Sequence, residues 1–486
     1  MAPFEMTEQL TWMLGTTIVV YVAAMYALSL AVRSRIHDTE DFIVAGRRLP
    51  LSLAWATLLA TWFGAGTILA VSEEVTRDGF RPAALDPLGA GFCLILAGLF
   101  FAKPLWEMGL LTLSDFFRRR FGPTAEILSA CIMVPTYFGW VAAQLVALAG
   151  MLELFFGIDL PVGILLVAVV ATGYTLLGGM WSVTLTDAVQ IALVLVGLVV
   201  LAIAALGELG NGSAALGLLR LREETPPEML ELIPTDSLRS FLDWMALFCV
   251  GALGNIPGQD LMQRIFASKS AVVAKRASIL AGVAYLTFGL IPIMLGFAAR
   301  LLVPQEITRS ILPALASLFL SPVLLVTFTV ALISAVLSTI DSALLSPASV
   351  LSQNIFERFN TRQRIASLTL NRIAVLIVAA GSVGFAFLGE SAYALLEDAY
   401  ELPLVALFVP LTLGLKTRSV RERAAIASML VGSGLWVIHY VAGWEHFFAP
   451  LTASWGVYLP VSLTATLFSF LAYLIANSGS RNQTDG

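Results

Sequence analysis

The sequence is poor in charge and in the residues that build catalytic or metal sites. Only 13% of its 486 residues are charged, whereas soluble domains average about 25%. It contains three cysteines and three histidines, and neither type has the spacing of a disulfide framework or a metal site. The sequence has no G-x-x-x-x-G-K-[ST] loop for ATP and no recognisable set of a nucleophile and a base. We therefore predict that the protein is not an enzyme, and ATP is disfavoured as its source of energy.

Long apolar segments are what the sequence has instead. Hydrophobic residues make up 58% of the chain, and a helix needs about 20 of them in a row to cross the hydrocarbon core of a bilayer. We predict an all-α polytopic membrane protein with about 13 transmembrane helices. The predicted spans begin near residues 11, 51, 84, 124, 160, 183, 240, 274, 319, 365, 391, 420 and 453.

The basic residues are distributed unequally over the predicted connections. With the N-terminus outside, 21 of the 28 Lys and Arg residues fall in cytoplasmic connections and 7 on the other side. Such an excess marks the cytoplasmic face, so we predict a plasma-membrane protein with its C-terminus, residues 481–486, in the cytoplasm. The first ten residues hold no Lys or Arg. This argues for a retained first helix rather than a cleaved signal peptide.

Glycine or proline interrupts two predicted spans at matching positions. Predicted span 2 contains Ala60-Thr-Trp-Phe-Gly-Ala-Gly-Thr67, and predicted span 7 contains Gly251-Ala-Leu-Gly-Asn-Ile-Pro-Gly258. Glycine in a membrane helix also permits close packing, but matched interruptions favour broken helices around a central binding site. Because the interruptions are five spans apart, an odd number, residues 51–208 and 240–417 would form repeats of opposite orientation.

Polar side chains are rare in the apolar spans, and a few of them stand out. Ser338 and Thr339 are neighbours in a segment without charged residues from Ser310 to Ile340. Their uncharged oxygens suit a monovalent cation, although hydroxyls in membrane helices often only bond back to a carbonyl of their own helix. Asp187 and Asp341 lie in or near spans, where an ionisable group is costly and needs a reason. For Asp187, a role in function and a simple helix-start position stay equally open.

Trp62 is the aromatic residue of most interest, because it lies within the first interruption. Aromatic residues in membrane proteins usually serve packing or anchor the protein at the interface. At a helix break, however, the face of an indole ring can stack on an apolar or cationic group. The sequence therefore makes Trp62 a candidate for contact with a solute.

Taken together, these segments resemble the sodium:solute symporter family over about residues 30 to 480. The resemblance implies one membrane domain, residues 1–480, with a leucine-transporter-like inverted-repeat core (5+5) of predicted spans 2 to 11. One helix precedes this core and two follow it. The resemblance also implies a small organic solute, sodium as the coupling ion and the lipid bilayer as partners, and no nucleic acid; it leaves the oligomeric state open. The matching stretches are Asp41–Arg47, Ala60–Thr67, Gly178–Gln190, Gly258–Arg264 and Ser334–Ser346.

The same resemblance implies particular site residues. It places a sodium site between predicted spans 2 and 9, and it places Asp187 near the inward ion path, where it would attract or release the ion. The implied sodium ligands are the carbonyls of Ala60, Phe63 and Ala335 and the hydroxyls of Ser338 and Thr339. The implied solute-binding residues are Trp62, Gly64, Gly66, Trp140, Asn255 and Gly258.

Within the family, the amino-acid sequences of three stretches are most similar to the choline-carrier branch. That branch surrounds a quaternary ammonium with aromatic residues, and Trp62 and Trp140 fall on two of those positions. Ala90 and Gly258 fall where the branch has aromatic residues, so the solute could equally be a larger amine, a betaine, an amino acid or another small organic solute. Proline-type members carry an acidic residue in place of Trp62. The three stretches are Ala60–Gly66, Gly98–Pro104 and Tyr174–Gly179.

The resulting hypothesis is sodium-coupled import of a small organic solute by alternating access, and two alternatives stay open. A proton-coupled symporter of the same fold would use Asp187 or Asp341 as the titrating group. A transporter-like membrane sensor is the alternative from another class. Because the sequence ends at Gly486, soon after the last predicted span, we expect no attached kinase domain. A channel would not need paired broken helices.

Overall fold

The computed structural model is a bundle of helices that are long enough to cross a membrane. It describes residues 7–304, 310–360, 365–388, 392–452 and 457–478, so the predicted tail 481–486 lies outside the described residues. Within these ranges, eleven helices are long and apolar enough to span a bilayer, and a bent pair of helices makes a twelfth span. The described residues form no strand, only an isolated bridge between Leu49 and Ser268. The all-α membrane fold is as predicted.

Six helices of the first half of the chain belong to the membrane spans, and we number them in chain order. A short connection joins the second and third, which together make the bent pair. The bounds are α1 Glu8–Val32, α2 Leu51–Trp62, α3 Gly66–Asp78, α4 Arg81–Glu107, α5 Pro123–Phe156 and α6 Leu160–Leu209.

Eight helices of the second half of the chain belong to the membrane spans, and the first two of them are parts of one interrupted span. Their bounds are α7 Leu238–Cys249, α8 Gln259–Ala267, α9 Ala271–Leu302, α10 Pro322–Phe359, α11 Ser367–Ala386, α12 Ala399–Lys416, α13 Glu422–Ala442 and α14 Val461–Ser478.

Helix α6 is two predicted spans joined end to end. Its 50 residues would extend about 75 Å, far more than the roughly 30 Å of a hydrocarbon core. The helix is interrupted at Gly179, whose φ of 49° and ψ of −148° are not helical. A Cβ atom at this position would lie 2.6 Å from the carbonyl oxygen of Phe42, so the bend requires glycine. Counting the two parts of α6 separately gives thirteen spans, in agreement with the prediction.

Both interruptions predicted from the glycine and proline pattern are present. Helices α2 and α3 meet at 54°, and Phe63 between them has a non-helical ψ of 65°. Helix α7 continues through a wide turn, Val250–Gly254, and then stops at Asn255 before α8 begins. The chain therefore carries one broken span in each repeat.

The last described span begins at Val461. Its predicted start near residue 453 falls on residues 453–456, which lie outside the described residues. Aromatic residues that precede these pack on the end of α13. The rings of Phe447 and Phe448 both lie 5.0 Å from the ring of His439, and Phe448 N donates to His439 Nε2 at 2.9 Å.

Burial identifies the centre of the bundle. In its most apolar stretch, 83% of the residues of the α10 span are buried, compared with 22% for each of the spans containing α1 and α14. Helix α10 is therefore enclosed by protein, whereas the first and last helices present most of their surface to lipid. The polar residues of α10 are consequently placed inside the protein, where they can line a path or a site.

Two glycines of α13 allow a test of how closely this helix packs against α12. A Cβ atom on Gly432 would lie 1.9 Å from the carbonyl oxygen of Val405 in α12, whereas a Cβ atom on Gly434 would meet nothing within 4 Å. We expect Gly432→Ala to lower the free energy of unfolding by about 1–3 kcal/mol through overpacking. Gly434→Ala is the matched control and should be neutral or slightly stabilising. Thermal unfolding in detergent measures both; equal shifts would contradict this packing.

Candidate functional site

The break after α2 lies directly against Thr339 of α10. Thr339 Oγ1 is 3.4 Å from the carbonyl oxygen of Thr61 in α2 and 3.3 Å from that of Ala335, one turn earlier in its own helix. Gly64, in the break, fits closely over this hydroxyl, since a Cβ atom there would come within 2.6 Å of Thr339 Oγ1. The structure thus brings the predicted ligands Thr339 and Ala335 of α10 to the end of α2, where the contacting carbonyl is that of Thr61, a neighbour of the predicted ligand Ala60.

The break also changes which backbone groups are bonded. In a continuous helix, Gly64 N–H would bond to the carbonyl of Ala60; here it donates to Trp62 O at 2.9 Å. Ala65 N–H likewise leaves the helix and donates to Gln144 Oε1 of α5 at 2.7 Å. The carbonyls of Ala60 and Thr61 therefore lose their usual helical donors close to Thr339.

Ser338 faces a different partner, the buried carboxylate of Asp187. Ser338 Oγ donates to Asp187 Oδ1, and Thr57 Oγ1 of α2 donates to Asp187 Oδ2 at 2.5 Å. The Asp187 side chain is fully buried. The sequence placed this aspartate near an ion path; the structure places it in direct contact with one of the predicted ligands, in a triangle formed by α2, α6 and α10.

A buried arginine links this cluster to the second broken span. The Arg264 side chain in α8 is fully buried, and its Nη2 lies 3.8 Å from Asp187 Oδ2. The same nitrogen donates to Ser342 Oγ of α10, and Nη1 donates to the carbonyl oxygen of Asp260 at 3.0 Å. By sequence, Arg264 ends a matching stretch and is one of the 21 basic residues of the predicted cytoplasmic connections, whereas the structure buries it within α8. Its signal was a full charge in the second half of a broken span, which requires a partner.

Asp341 is the second carboxylate beside the predicted ligands of α10. Its Oδ1 accepts a hydrogen bond from Thr175 Oγ1 of α6 at 3.0 Å. Its Oδ2 is buried and has no hydrogen-bond partner among the described residues. The contact between α6 and α10 therefore holds an acceptor oxygen that is not satisfied in this structure.

Three of the predicted solute residues, Trp140, Asn255 and Gly258, line one small cavity between α5, α8 and α12. Its volume is about 20 Å³, and it is also lined by Tyr137, Asp260 and Tyr400. The indole ring of Trp140 lies 5.6 Å from the Tyr137 ring and 6.5 Å from the Tyr400 ring. Tyr137 Oη donates to Asp260 Oδ1 at 2.5 Å. The cavity combines aromatic walls with a carboxylate.

The other predicted solute residues lie at the α2 break, away from this cavity. Trp62 is the last residue of α2 and is buried, with no hydrogen-bond partner for its Nε1 among the described residues. Gly64 packs against the side chains of Thr339 and Gln144, so it has a role in helix packing and leaves no room for a solute here. Gly66 begins α3. The structure therefore divides the predicted solute residues into two groups.

Hydroxyl groups from two other helices contact the carbonyl oxygen at the end of α2. Thr67 Oγ1 of α3 and Tyr285 Oη of α9 lie 3.0 and 3.2 Å from the carbonyl oxygen of Trp62. Both also bond to Asp86 of α4. Sequence reasoning missed Asp86, Gln144 and Tyr285. For Asp86 the signal was present, because a carboxylate in an apolar span indicates a functional group.

Comparison with known proteins assigns the family. The model of the sodium:solute symporter family matches residues 42–432. The chain belongs to the sodium:solute symporter family. The human high affinity choline transporter 1 is 30% identical over 414 residues, which is 81% of this chain and 70% of that protein. The sodium/glucose cotransporter of Vibrio parahaemolyticus is 24% identical over 70% of this chain and 68% of that protein.

Solved structures show the same fold as this symporter-family chain. A Na⁺-coupled sialic acid symporter in a substrate-bound, outward-open state aligns with a TM-score of 0.77 at 18% identity, over 96% of both chains. Mhp1, a nucleobase-cation-symport-1 family transporter in a closed conformation, aligns with a TM-score of 0.57 at 15% identity, over 90% of this chain and 93% of that one. The leucine-transporter-like core is thus confirmed, and the protein is a multi-pass transporter rather than an enzyme.

Free energies of unfolding can test the interaction between Arg264 and Asp187 in the buried ion pair. Removing one partner leaves the other charge buried and uncompensated, so Arg264→Leu should cost about 3–5 kcal/mol. Adding Asp187→Asn to that variant should recover about 1 kcal/mol or more, because the two groups interact. A double-mutant cycle of unfolding free energies measures this coupling. Strictly additive effects would show that the 3.8 Å contact carries no energy.

Proposed function

We propose that this chain imports a small organic solute together with sodium, by alternating access. The observation that carries the proposal is the contact between the α2 break and α10. The carbonyl of Thr61, which has lost its helical donor, lies 3.4 Å from the hydroxyl of Thr339, whose other contact is a long one of 3.3 Å to the carbonyl of Ala335. The carbonyl of Ala60, one residue earlier, has also lost its helical donor. Uncharged oxygens at the end of a half-helix are how transporters of this architecture coordinate sodium.

The proposed sodium shell consists of oxygens from both helices. The carbonyls of Ala60, Phe63 and Ala335 and the hydroxyls of Ser338 and Thr339 would supply it. The α2 half-helix adds the negative end of its dipole, and Asp187 holds the Ser338 hydroxyl. A bound sodium ion would join α2 to α10 and would replace the long Thr339 contacts with shorter ones to the ion.

The proposed solute is a small amine, a betaine or an amino acid. The relatives include several choline transporters, and the cavity beside Trp140 has aromatic walls and the carboxylate of Asp260. At about 20 Å³ the cavity holds about one water molecule. Solute binding therefore requires α5, α8 and α12 to move apart, as alternating access demands.

One sodium ion supplies enough energy for uptake. A single charge moving through a potential of about 100 mV gains roughly 2.3 kcal/mol. A tenfold sodium gradient adds about 1.4 kcal/mol. Together they permit accumulation of a neutral solute by about 500-fold, since each 1.4 kcal/mol is a factor of ten. We propose the orientation that suits import, in the plasma membrane with the N-terminus outside and the C-terminus in the cytoplasm.

Replacing the two hydroxyls should abolish sodium binding without unfolding the protein. We expect the wild type to be stabilised against thermal unfolding by NaCl but not by equal KCl, because only sodium occupies the shell. Ser338→Ala with Thr339→Ala should remove this difference. Ser349→Ala is the matched control, since Ser349 is a buried serine of α10 that bonds to Ser346 O at 2.6 Å and lies outside the shell. An unchanged sodium response in the double variant would contradict the site.

The coupling ion can be identified in vesicles. Asp341 Oδ2 lacks a partner, and this observation favours the alternative of proton coupling, because a proton would satisfy that oxygen. Purified protein in liposomes should take up the amine that stabilises it most when a sodium gradient is imposed. A pH gradient alone should give no accumulation. Uptake driven by the pH gradient without sodium would favour proton coupling through Asp341 or Asp187.

A further inference from the structure

Asp86 is a central carboxylate that does not belong to the proposed sodium site. It is 2% exposed and lies near the start of α4 in the segment Leu85–Gly89, where its own backbone is extended, with φ −145° and ψ 125°. Two hydroxyls bond to its carboxylate. Tyr285 Oη donates to Oδ1 at 2.6 Å, and Thr67 Oγ1 donates to Oδ2 at 2.9 Å.

The position of Asp86 is where the two broken spans meet. On one side, the hydroxyls of Thr67 and Tyr285 connect it to the carbonyl of Trp62 at the end of α2. On the other side, its segment packs against the turn between α7 and α8, where a Cβ atom on Gly251 would lie 2.2 Å from the carbonyl oxygen of Leu85. Solute sites in inverted-repeat transporters form at such meetings of broken helices.

Asp86 has no counter-charge among the described residues. None of the described lysine, arginine and histidine side chains forms an ion pair with it, and its carboxylate is bonded by the hydroxyls of Thr67 and Tyr285. Asp187, by contrast, lies 3.8 Å from Arg264 Nη2. A buried carboxylate without a cation is strongly disfavoured, so Asp86 lacks a partner that Asp187 has.

The hydrogen bonding of Asp86 is also incomplete. A carboxylate can accept about four hydrogen bonds, and the two hydroxyls supply at most one each. They also contact each other and the carbonyl of Trp62, so their hydrogens are shared among several oxygens. The carboxylate therefore has room for another donor as well as for a positive charge. A group with both properties is an ammonium that carries an N–H.

The segment that holds Asp86 packs against a turn that lines the central cavity. A Cβ atom on Gly251 would lie 2.2 Å from the carbonyl oxygen of Leu85, and Gly254 of the same turn lines the cavity beside Trp140 and Asn255. The face of the Asp86 cluster toward α2 is aromatic, since the rings of Phe63 and Tyr285 lie 5.0 Å apart, edge to face. Aromatic rings beside a carboxylate make a favourable environment for an organic cation.

We propose that Asp86 binds the protonated amino group of the transported solute, and that Tyr285 and Thr67 orient its carboxylate. The proposal rests on the symport function argued above and specifies its solute class, a small amine with at least one N–H. Asp86 then acts as a specificity residue. It distinguishes a protonated amine from a neutral solute by charge, and from a quaternary ammonium by the missing N–H donor.

A matched series of probes tests this assignment on the purified full-length protein in NaCl. N,N-dimethylethanolamine carries one N–H and a positive charge, choline has the charge without the N–H, and 3,3-dimethyl-1-butanol has the same shape without charge. Binding to the wild type, measured by ligand-dependent thermal stabilisation, should be about tenfold or more tighter for dimethylethanolamine than for the neutral alcohol, the effect of one charge-assisted hydrogen bond. Choline should fall between them.

The variant Asp86→Asn should remove the distinction. The three probes should then bind within about threefold of one another, because an amide keeps the hydrogen-bonding shape but not the charge. Asp86→Glu keeps the charge and should retain a preference for the amine. Equal binding of amine and neutral alcohol by the wild type, or no binding of any amine, would overturn the proposal. A full preference that survives Asp86→Asn would overturn it as well.

Two further measurements separate this proposal from the proposed function. The difference in stabilisation between NaCl and KCl without any amine should persist in Asp86→Asn, which shows that the variant folds and keeps its sodium site. If the wild type itself shows no such difference, the proposal of sodium-coupled function is wrong, whatever the binding of the amines.

If Asp86→Asn does not fold, Tyr285→Phe tests the role of the Asp86 carboxylate instead. It removes one donor to the carboxylate and should widen the preference for dimethylethanolamine over choline, and a narrowed preference would overturn the proposal.

Discussion

The structure depends on a helix that stops in the middle of the membrane. Backbone groups there cannot be left to water or lipid, so each must find a partner inside the protein. Gln144 takes the N–H of Ala65, and Tyr285 reaches the carbonyl of Trp62. The carbonyls of Ala60 and Thr61 remain, and that of Thr61 lies 3.4 Å from the hydroxyl of Thr339 on the most enclosed helix. An ion that completes these contacts would also determine whether α2 and α10 stay together, which links ion binding to conformational change.

The distribution of charge in the bundle extends the same argument. Four buried carboxylates, those of Asp86, Asp187, Asp260 and Asp341, lie near the two broken spans, and among the described residues Arg264 is the one fully buried arginine or lysine beside them. The interior thus carries more negative than positive side chains. Such an excess is costly in a membrane protein unless cations enter it. A sodium ion at the α2 break and an ammonium group at Asp86 would each compensate part of this charge, so the cargo itself would balance the site.

The sequence allowed the broken spans to be predicted because glycine and proline mark backbone interruptions locally. Ser338 and Thr339 were identifiable because hydroxyls stand out in an apolar segment and match a family motif. The partners of the break were not predictable, since Asp86, Gln144 and Tyr285 come from three helices that only the folded bundle brings together. The close packing of Gly64 against Thr339 and Gln144 was not predictable either, because spacing does not show whether a glycine faces a cavity or a neighbouring hydroxyl.

The most direct measurement of the central claim is equilibrium binding of ²²Na⁺ to the purified protein and to Gly64→Ala. The added Cβ atom would lie 2.6 Å from Thr339 Oγ1 and must displace that hydroxyl, whereas Gly150→Ala on α5 adds a Cβ atom with nothing within 4 Å. The account predicts saturable sodium binding in the wild type and in Gly150→Ala, and a loss of about tenfold or more in affinity in Gly64→Ala, the effect of one lost charge-assisted contact. Equal sodium affinity in all three proteins would contradict an ion site between the α2 break and α10.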